Sequence, residues 1–311
     1  MHQEPIRAKT MSPVRRRGTG SRRMANCFAR RVRLTGWPAL WLGCLWLGLI
    51  AGAGGPALAR DLPSSLIIID TDGRMAPEVF AHVVGLSSRE LATRFGATGV
   101  VHCGGAVGTG QLVGAANVLV TAAHVLFAPD GTARASGPAC GFVIEVGGQR
   151  RIVPIDMERV LTGSREPYDA PALQDWAVAP LAAVVAGARP YPLAPAMAVP
   201  GEVVLAAAAS TAGVTRRTLE RCRARTVTAR GEGGLREVAI DCDAEGGTSG
   251  AALLSEQGGF LGVYVGFRSF HPGEAGPFSM SHYNFAVTAE GPLRRAIVKA
   301  AGTGEALSAS R

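Results

Sequence analysis

Closely spaced cysteines and clustered histidines are absent from this sequence. No two of its six cysteines follow the pattern C-x-x-C, and its six histidines show no metal-ligand spacing. These absences disfavour a zinc ribbon or a thioredoxin-like motif and predict no bound metal. The glycines at 108, 110 and 114 lack the spacing of a dinucleotide-binding fingerprint, and no βαβ unit follows them. We therefore expect no cofactor.

Charged residues are also scarce, at 18% of the 311 residues against 47% hydrophobic residues. This balance excludes a mostly disordered chain. The formal net charge of +8 comes from the beginning of the chain, because 10 of the 32 Lys and Arg but one of the 24 Asp and Glu precede residue 60. The remainder carries 22 basic and 23 acidic residues. We therefore expect no nucleic-acid binding.

An apolar run at residues 39–51 follows Arg30, Arg31 and Arg33 and precedes Ala57 and Ala59. Its thirteen residues match the hydrophobic region of a secretory signal, whereas a membrane span needs about 20 residues. The layout predicts a signal peptide over residues 1–59 with an over-long n-region, cut after Ala59. The mature protein would be periplasmic or secreted. If the signal stays uncleaved, the protein is anchored in the membrane.

Beyond residue 60 the sequence predicts an all-β protein, a barrel or a sandwich, because short β-branched runs alternate with Gly, Pro and Asp. Residues 60–97 form an N-terminal strap or a pro-segment, with a helix that starts at the capping-box spacing Ser87 to Glu90. An Ala/Pro-rich stretch at 180–200 is typical of an interdomain linker. A terminal amphipathic helix is expected over 292–300, and residues 297–311 are assigned to a tail. The four cysteines after residue 60 predict two disulfides, or alternatively four buried thiols.

Three short sequences carry candidate catalytic side chains. His124 follows a strand and small residues, Asp175 precedes an apolar strand, and Ser249 lies in a Gly/Ser turn between two strands. Glycines flank this serine at 246, 247 and 250. They permit a tight turn whose backbone N–H groups converge, as an oxyanion hole requires. Each sequence taken alone also has an ordinary structural interpretation.

The order His124, Asp175, Ser249, with separations of 51 and 74 residues, makes the three a set. In this combination the chain resembles the trypsin/chymotrypsin family of serine peptidases, especially its bacterial branch related to the glutamyl endopeptidases. The resemblance covers residues 98–290 and includes the late strand 284–287. It implies two packed six-stranded antiparallel β-barrels, chymotrypsin-like, over 98–185 and 186–296, with a C-terminal helix.

The resemblance also implies an activity, that of a monomeric serine endopeptidase acting on protein or peptide substrates. Ser249 would be the nucleophile, His124 the proton carrier and Asp175 the residue that orients the imidazole. The N–H groups of Gly247 and Ser249 would form the oxyanion hole. The alternatives are a secreted binding or scaffold protein on a peptidase fold, and a membrane-anchored envelope protease.

Primary specificity is assigned by the same resemblance. Asp243 lies six residues before Ser249, where trypsin-like enzymes keep the carboxylate that binds a basic side chain. Tyr264 and Gly266 would form the opposite wall of the pocket. The sequence therefore predicts cleavage after basic residues, with small or apolar residues as the alternative.

Two departures from the family concern activation and disulfides. Thr248 stands where the animal enzymes have the aspartate that receives a new N-terminus, so trypsin-style activation is not expected. Val125 replaces the family's cysteine after the histidine, which removes the usual histidine-loop disulfide. We expect one disulfide within each proposed barrel, and these are Cys103–Cys140 and Cys222–Cys242.

Overall fold

A computed structural model describes residues 66–211 and 214–309. The predicted signal peptide, residues 1–59, lies outside the described residues. Within them the chain is mostly antiparallel strand, and its regular elements occur in the following order. They are β1 (Ile68–Ile69), α1 (Pro77–Val84), α2 (Ser88–Phe95), β2 (Thr98–Cys103), β3 (Ala106–Leu112), β4 (Val118–Thr121), α3 (Ala123–Leu126), β5 (Cys140–Val146), β6 (Gln149–Pro154), β7 (Leu161–Thr162), β8 (Ala177–Pro180), β9 (Gly201–Thr211), β10 (Val214–Arg230), β11 (Arg236–Ile240), β12 (Ala252–Leu254), β13 (Phe260–Ser269), β14 (Ala275–Gly276), β15 (His282–Thr288) and α4 (Gly291–Ala309).

The C-terminal half forms a closed six-stranded barrel in the order β10-β11-β15-β13-β12-β9. The packing of strand β9 explains why its sequence is almost continuously apolar. Val203 and Leu205 belong to the cluster inside the barrel, while Val204 and Ala206, on the opposite face, join the cluster shared with the N-terminal half. Because successive side chains point to opposite faces, a strand buried on both sides needs apolar residues at every position.

The N-terminal half forms a seven-stranded antiparallel sheet in the order β6-β5-β2-β3-β4-β8-β7. The sequence predicted a second closed six-stranded barrel here, and the strand ladder does not close in that way within the described residues. An isolated bridge between Ile155 and Leu181 links the chain after β6 to the chain after β8. Closure depends on strand tilt and stagger, which a local hydrophobic pattern does not specify.

Both predicted disulfides are present, Cys103–Cys140 and Cys222–Cys242. The first joins directly paired residues of β2 and β5 in the N-terminal sheet. The second joins β10 to the residue that follows Asp241, beyond the end of β11. Each bond therefore reinforces one half of the molecule and does not cross between the halves.

Residues 66–97 pack on the two halves as an ordered segment. Helix α2 begins at Ser87, whose side chain accepts a hydrogen bond from the Glu90 N–H while the Glu90 carboxylate accepts one from the Ser87 N–H. The capping box is confirmed. Phe80 of α1 stacks edge to face on Phe95 of α2, with ring centroids 5.6 Å apart. These two buried rings hold the helices together.

Helix α4 ends the described chain and packs against β4 and β8 of the N-terminal sheet. Its buried side chains Leu293, Ile297 and Ala300 repeat at helical spacing. The helix runs to Ala309, past residue 297 where the sequence analysis placed the start of a tail. No helix in residues 66–211 and 214–309 has the length and apolar character needed for a membrane crossing.

Candidate active site

His124 and Asp175 are brought together by the pairing of β4 with β8. Thr121, the last residue of β4, lies opposite Ala177, the first residue of β8. His124 follows one end and Asp175 precedes the other, so the register places the two side chains side by side. The Asp175 Oδ2 lies 2.6 Å from the His124 Nδ1, and its Oδ1 accepts the His124 backbone N–H at 2.9 Å. The carboxylate is buried, with 6% exposure.

Ser249 lies in a turn that we call the serine turn, residues 243–250. Gly250 has a φ of 87°, and a Cβ at this position would lie 2.2 Å from the Thr109 carbonyl oxygen. Only glycine meets both conditions without strain. The glycine therefore allows the serine turn to lie directly on β3 and on the end of β4.

Thr109 is a site residue that the sequence analysis missed. Its N–H donates to the Ser249 carbonyl at 2.8 Å, and its hydroxyl donates to the Gly247 carbonyl at 2.8 Å. A Cβ on the preceding Gly108 would lie 2.9 Å from the Ser249 carbonyl oxygen. The glycines on either side of Thr109, excluded as a nucleotide motif, were the available signal, because glycine in a strand often marks the close approach of another backbone.

The free backbone N–H groups of the serine turn include two that lie next to the Ser249 side chain. Among residues 66–211 and 214–309, no acceptor is bonded to the N–H of Gly247 or of Ser249. Gly247 has a φ of 93°, a conformation that other residues rarely adopt. Two unpaired N–H groups beside a serine hydroxyl can stabilise negative charge on an oxygen held between them.

His124, Asp175, Gly247 and Ser249 line one open cleft of about 750 Å³. Within the described chain, no hydrogen bond joins the Ser249 hydroxyl to the His124 imidazole. The arrangement can carry acyl transfer, because it combines a hydroxyl, an imidazole held by a carboxylate, and free N–H donors.

Comparison with known proteins identifies the family. The profile of the trypsin-like peptidase domain matches residues 108–263, about half of the chain. The chain belongs to this family. It is a serine endopeptidase, a hydrolase, as the sequence predicted. No curated protein sequence matches the chain significantly.

Solved structures of proteases are similar to this chain at low sequence identity. A Glu endopeptidase in complex with MPD is 15% identical, with a TM-score of 0.55, and the alignment covers 76% of this chain and 100% of that one. The protease Anisep from Arthrobacter nicotinovorans is 15% identical, with a TM-score of 0.46, covering 68% of this chain and 97% of that one. The first likeness supports a chymotrypsin-like arrangement of this peptidase.

Asp243 is the predicted site residue that the structure does not bring into the cleft of the peptidase. Its carboxylate is 1% exposed and accepts the backbone N–H groups of Ile69 and Gly73, each at 2.6 Å. Tyr264 and Gly266 line the cleft. The assignment of Asp243 to a substrate pocket is therefore corrected, because both of its oxygens already bind the segment that precedes α1.

The wall of the cleft next to Ser249 is apolar. Phe285 lies close to Gly266, so that a Cβ on Gly266 would be 3.3 Å from its ring. The Tyr264 hydroxyl, which donates to the Asn284 side chain at 2.8 Å, is buried, and burial raises the pKa of Tyr264. Tyr264 therefore contributes no ionised group to this wall. Phe285 was not assigned to the site, although it lies in the late strand on which the resemblance rested.

Tyr168 covers the other side of His124. The two rings meet edge to face with centroids 6.1 Å apart. Arg134 connects them, since its Nε donates to the His124 carbonyl and its Nη2 donates to the Tyr168 hydroxyl, both at 3.0 Å. No pattern in the sequence pointed to this pair, which lies on loops of the N-terminal half.

Proposed function

We propose that the peptidase hydrolyses peptide bonds through Ser249, His124 and Asp175. The Ser249 hydroxyl attacks the carbonyl carbon of the peptide bond while His124 Nε2 takes its proton. The tetrahedral intermediate collapses when His124 returns that proton to the leaving amine, which gives an acyl-enzyme. Water then attacks the acyl-enzyme by the same proton transfers and releases the acid.

The observation that carries this proposal is the pair of hydrogen bonds that the Asp175 carboxylate accepts from His124 beside Ser249. The bond to Nδ1 leaves Nε2 as the nitrogen that accepts a proton, and the bond to the backbone N–H fixes the position of the carboxylate. Glycine at 247 and the free N–H groups of Gly247 and Ser249 support an oxyanion hole. Losing one such donor costs about 100-fold or more in rate.

We propose that the enzyme accepts a small or apolar side chain next to the bond that it cuts. Asp243 cannot serve a basic side chain while it binds the backbone N–H groups of Ile69 and Gly73. Phe285 and Tyr264 offer apolar surface, and Phe285 narrows the space beside Gly266. A charged side chain packed on Phe285 and Tyr264 would meet no ionised partner on those two residues, and an unpaired buried charge is costly. Glu245, which also lines the cleft, is already paired with Arg74.

We also propose that the enzyme is exported and monomeric. The two disulfides, Cys103–Cys140 and Cys222–Cys242, are typical of proteins in an oxidising compartment. Export would use the predicted signal of residues 1–59 and place the mature enzyme in the periplasm or outside the cell.

Fluorophosphonate labelling tests the proposed chemistry. The wild type should be labelled and should cleave a casein substrate, while Ser249→Ala and His124→Ala should do neither and should keep the thermal unfolding midpoint of the wild type within a few degrees. Full turnover by Ser249→Ala would refute the proposal. A folded wild type that neither reacts with the probe nor cleaves protein would favour a scaffold role.

A further inference from the structure

The segment before α1 is bonded to the serine turn along several residues. We call residues 66–75 the anchor segment. Ile67 and Ala244 exchange two backbone hydrogen bonds, with N to O distances of 2.8 and 2.9 Å. Ala244 lies only five residues before Ser249. The backbone of the anchor segment is therefore paired directly with the turn that carries the nucleophile.

Asp243 ties the turn to the anchor segment a second time. Its Oδ1 accepts the Ile69 N–H and its Oδ2 accepts the Gly73 N–H, so both oxygens bind the anchor segment. The Asp243 backbone N–H is in turn accepted by the buried Glu220 carboxyl at 2.8 Å. A buried carboxylate requires such partners, because leaving it without hydrogen bonds is costly. Asp243 and the anchor segment therefore stabilise one another.

Arg74 makes the third connection between the anchor segment and the serine turn. It pairs with Glu245, the residue that precedes Gly246 and Gly247. Its guanidinium, whose side chain is 9% exposed, lies 3.2 Å from the Glu245 carboxylate and also pairs with Asp72. Hydrogen bonding to Asp72 first, and the charge of Glu245 as well, raise the pKa of Arg74. Arg74 therefore holds Glu245, whose neighbours Gly246 and Gly247 complete the turn.

Glu245 in turn is hydrogen-bonded to Thr248, the residue before Ser249. Its carbonyl accepts the Thr248 N–H at 3.0 Å, and its own N–H donates to the Thr248 hydroxyl at 3.1 Å. Gly246 and Gly247 lie inside this loop and have more conformational freedom than any other residue type. Their orientation therefore depends on how firmly Glu245 and Thr248 are fixed.

We propose that Asp243 and Arg74 are positioning residues for catalysis. By binding the serine turn to the anchor segment, they hold the N–H groups of Gly247 and Ser249 in the orientation that faces the cleft. Neither side chain lines the cleft. This inference rests on the proposed function, since it concerns how the same oxyanion donors are arranged.

The test compares Arg74→Gln, Arg74→Lys and Asp243→Asn in the full chain. Arg223→Gln is the matched control, because Arg223 forms an exposed ion pair with Glu202 on the same barrel, 3.1 Å apart. The measurements are kcat, KM, the inhibition constant of a peptide boronate, which forms a tetrahedral adduct on the serine, and that of the corresponding product peptide.

We expect Arg74→Gln and Asp243→Asn to lower kcat by about 10- to 100-fold, because a misplacement of about 1 Å at a reacting centre costs up to about 100-fold. KM should change by less than about twofold, since the substrate-binding wall is unaltered. The boronate should bind correspondingly more weakly, and the product peptide equally well. Arg74→Lys keeps the charge near Glu245 and should recover part of kcat.

Other outcomes separate this inference from the proposed function. A wild type without activity would overturn the proposed function, and the positioning role would fall with it. An active wild type whose kcat and boronate affinity are unchanged in Arg74→Gln would overturn the positioning role alone. An equal loss of boronate and product binding would also overturn it, because that pattern indicates general damage to the cleft. If Asp243→Asn does not fold, Arg74→Gln and Arg74→Lys alone test the positioning role.

Discussion

Replacing Thr109 by valine would remove two hydrogen bonds that join β3 to the serine turn and to β9, while preserving side-chain shape. The Thr109 hydroxyl donates to the Gly247 carbonyl at 2.8 Å and accepts the N–H of Ala208 in β9 at 3.1 Å. Valine can do neither. The substitution therefore removes two hydrogen bonds and leaves both partner groups without a replacement.

The magnitude follows from the burial of those partners. The Ala208 N–H is fully buried, and an unsatisfied buried donor costs about 1–3 kcal/mol. The Gly247 carbonyl is half-buried and should add about 1 kcal/mol or less, because water can reach it. A loss of about 1–4 kcal/mol lowers the Tm of a domain of this size by at least about 2 °C. We also expect kcat to fall about 10-fold, since the Gly247 backbone loses its hydrogen bond to the Thr109 hydroxyl.

Thr98→Val is the matched control for this experiment. The Thr98 side chain is also buried, and its hydrogen-bond partner within the described part of the chain is the Tyr191 hydroxyl, at 2.9 Å and away from the serine turn. It should lose comparable stability with kcat unchanged. Thermal unfolding and steady-state kinetics of both variants provide the comparison. If Thr109→Val keeps kcat within twofold of the wild type, or if both variants lose kcat equally, the reasoning is refuted.

Three further predictions concern pH, specificity and export. Burial first, and then the charge of Asp243, raise the pKa of Glu220 to about 9 from its ordinary 4.5, so the folded state keeps a proton that the unfolded state has released. Stability should therefore fall as pH rises from about 5 to about 9, and Glu220→Gln should remove that slope in urea unfolding. Phe285→Ala should admit larger apolar side chains beside Gly266 in a peptide library, and an unchanged preference would place Phe285 outside the pocket. N-terminal sequencing of exported protein should find a start after Ala59. An intact leader in the membrane fraction would indicate instead that the uncleaved signal holds the protein in the membrane.

Local patterns in the sequence predicted much of this fold. The capping box at Ser87 and Glu90 depends on residues three apart, and so it could be identified from sequence alone. His124 and Asp175 follow and precede strands whose apolar runs are equally local. The disulfide partners lie within one half each, where the resemblance placed them.

The placement of Asp243 could not be predicted in this way. Counting from Ser249 locates the residue along the chain, but its surroundings are set by the anchor segment, which lies 174 and 170 residues earlier at the two hydrogen-bonded positions. No periodicity connects such distant residues. The role of Thr109 has the same origin, since its partner Gly247 is 138 residues away and only tertiary packing brings the two together.

Residues 60–97 were predicted to be either a retained strap or a removable pro-segment, and the contacts of Asp243 favour the strap. Release of the anchor segment would take two N–H donors from a carboxylate that is 1% exposed and lies next to Glu220. Burial already raises the pKa of Asp243 while both donors are present. Both hydrogen bonds lower that pKa and so stabilise the charged form, and their loss on removal of the segment would cost folding energy.

The active enzyme should therefore retain its anchor segment. Intact-mass measurement of the fluorophosphonate-labelled protein should find a chain that still contains residues 66–75. A labelled species that begins after residue 75 would contradict the argument and would identify the segment as a pro-peptide. Continuity of the chain is part of the expectation, because the donors to Asp243 are internal amides of Ile69 and Gly73 and no new N-terminus is required to make them.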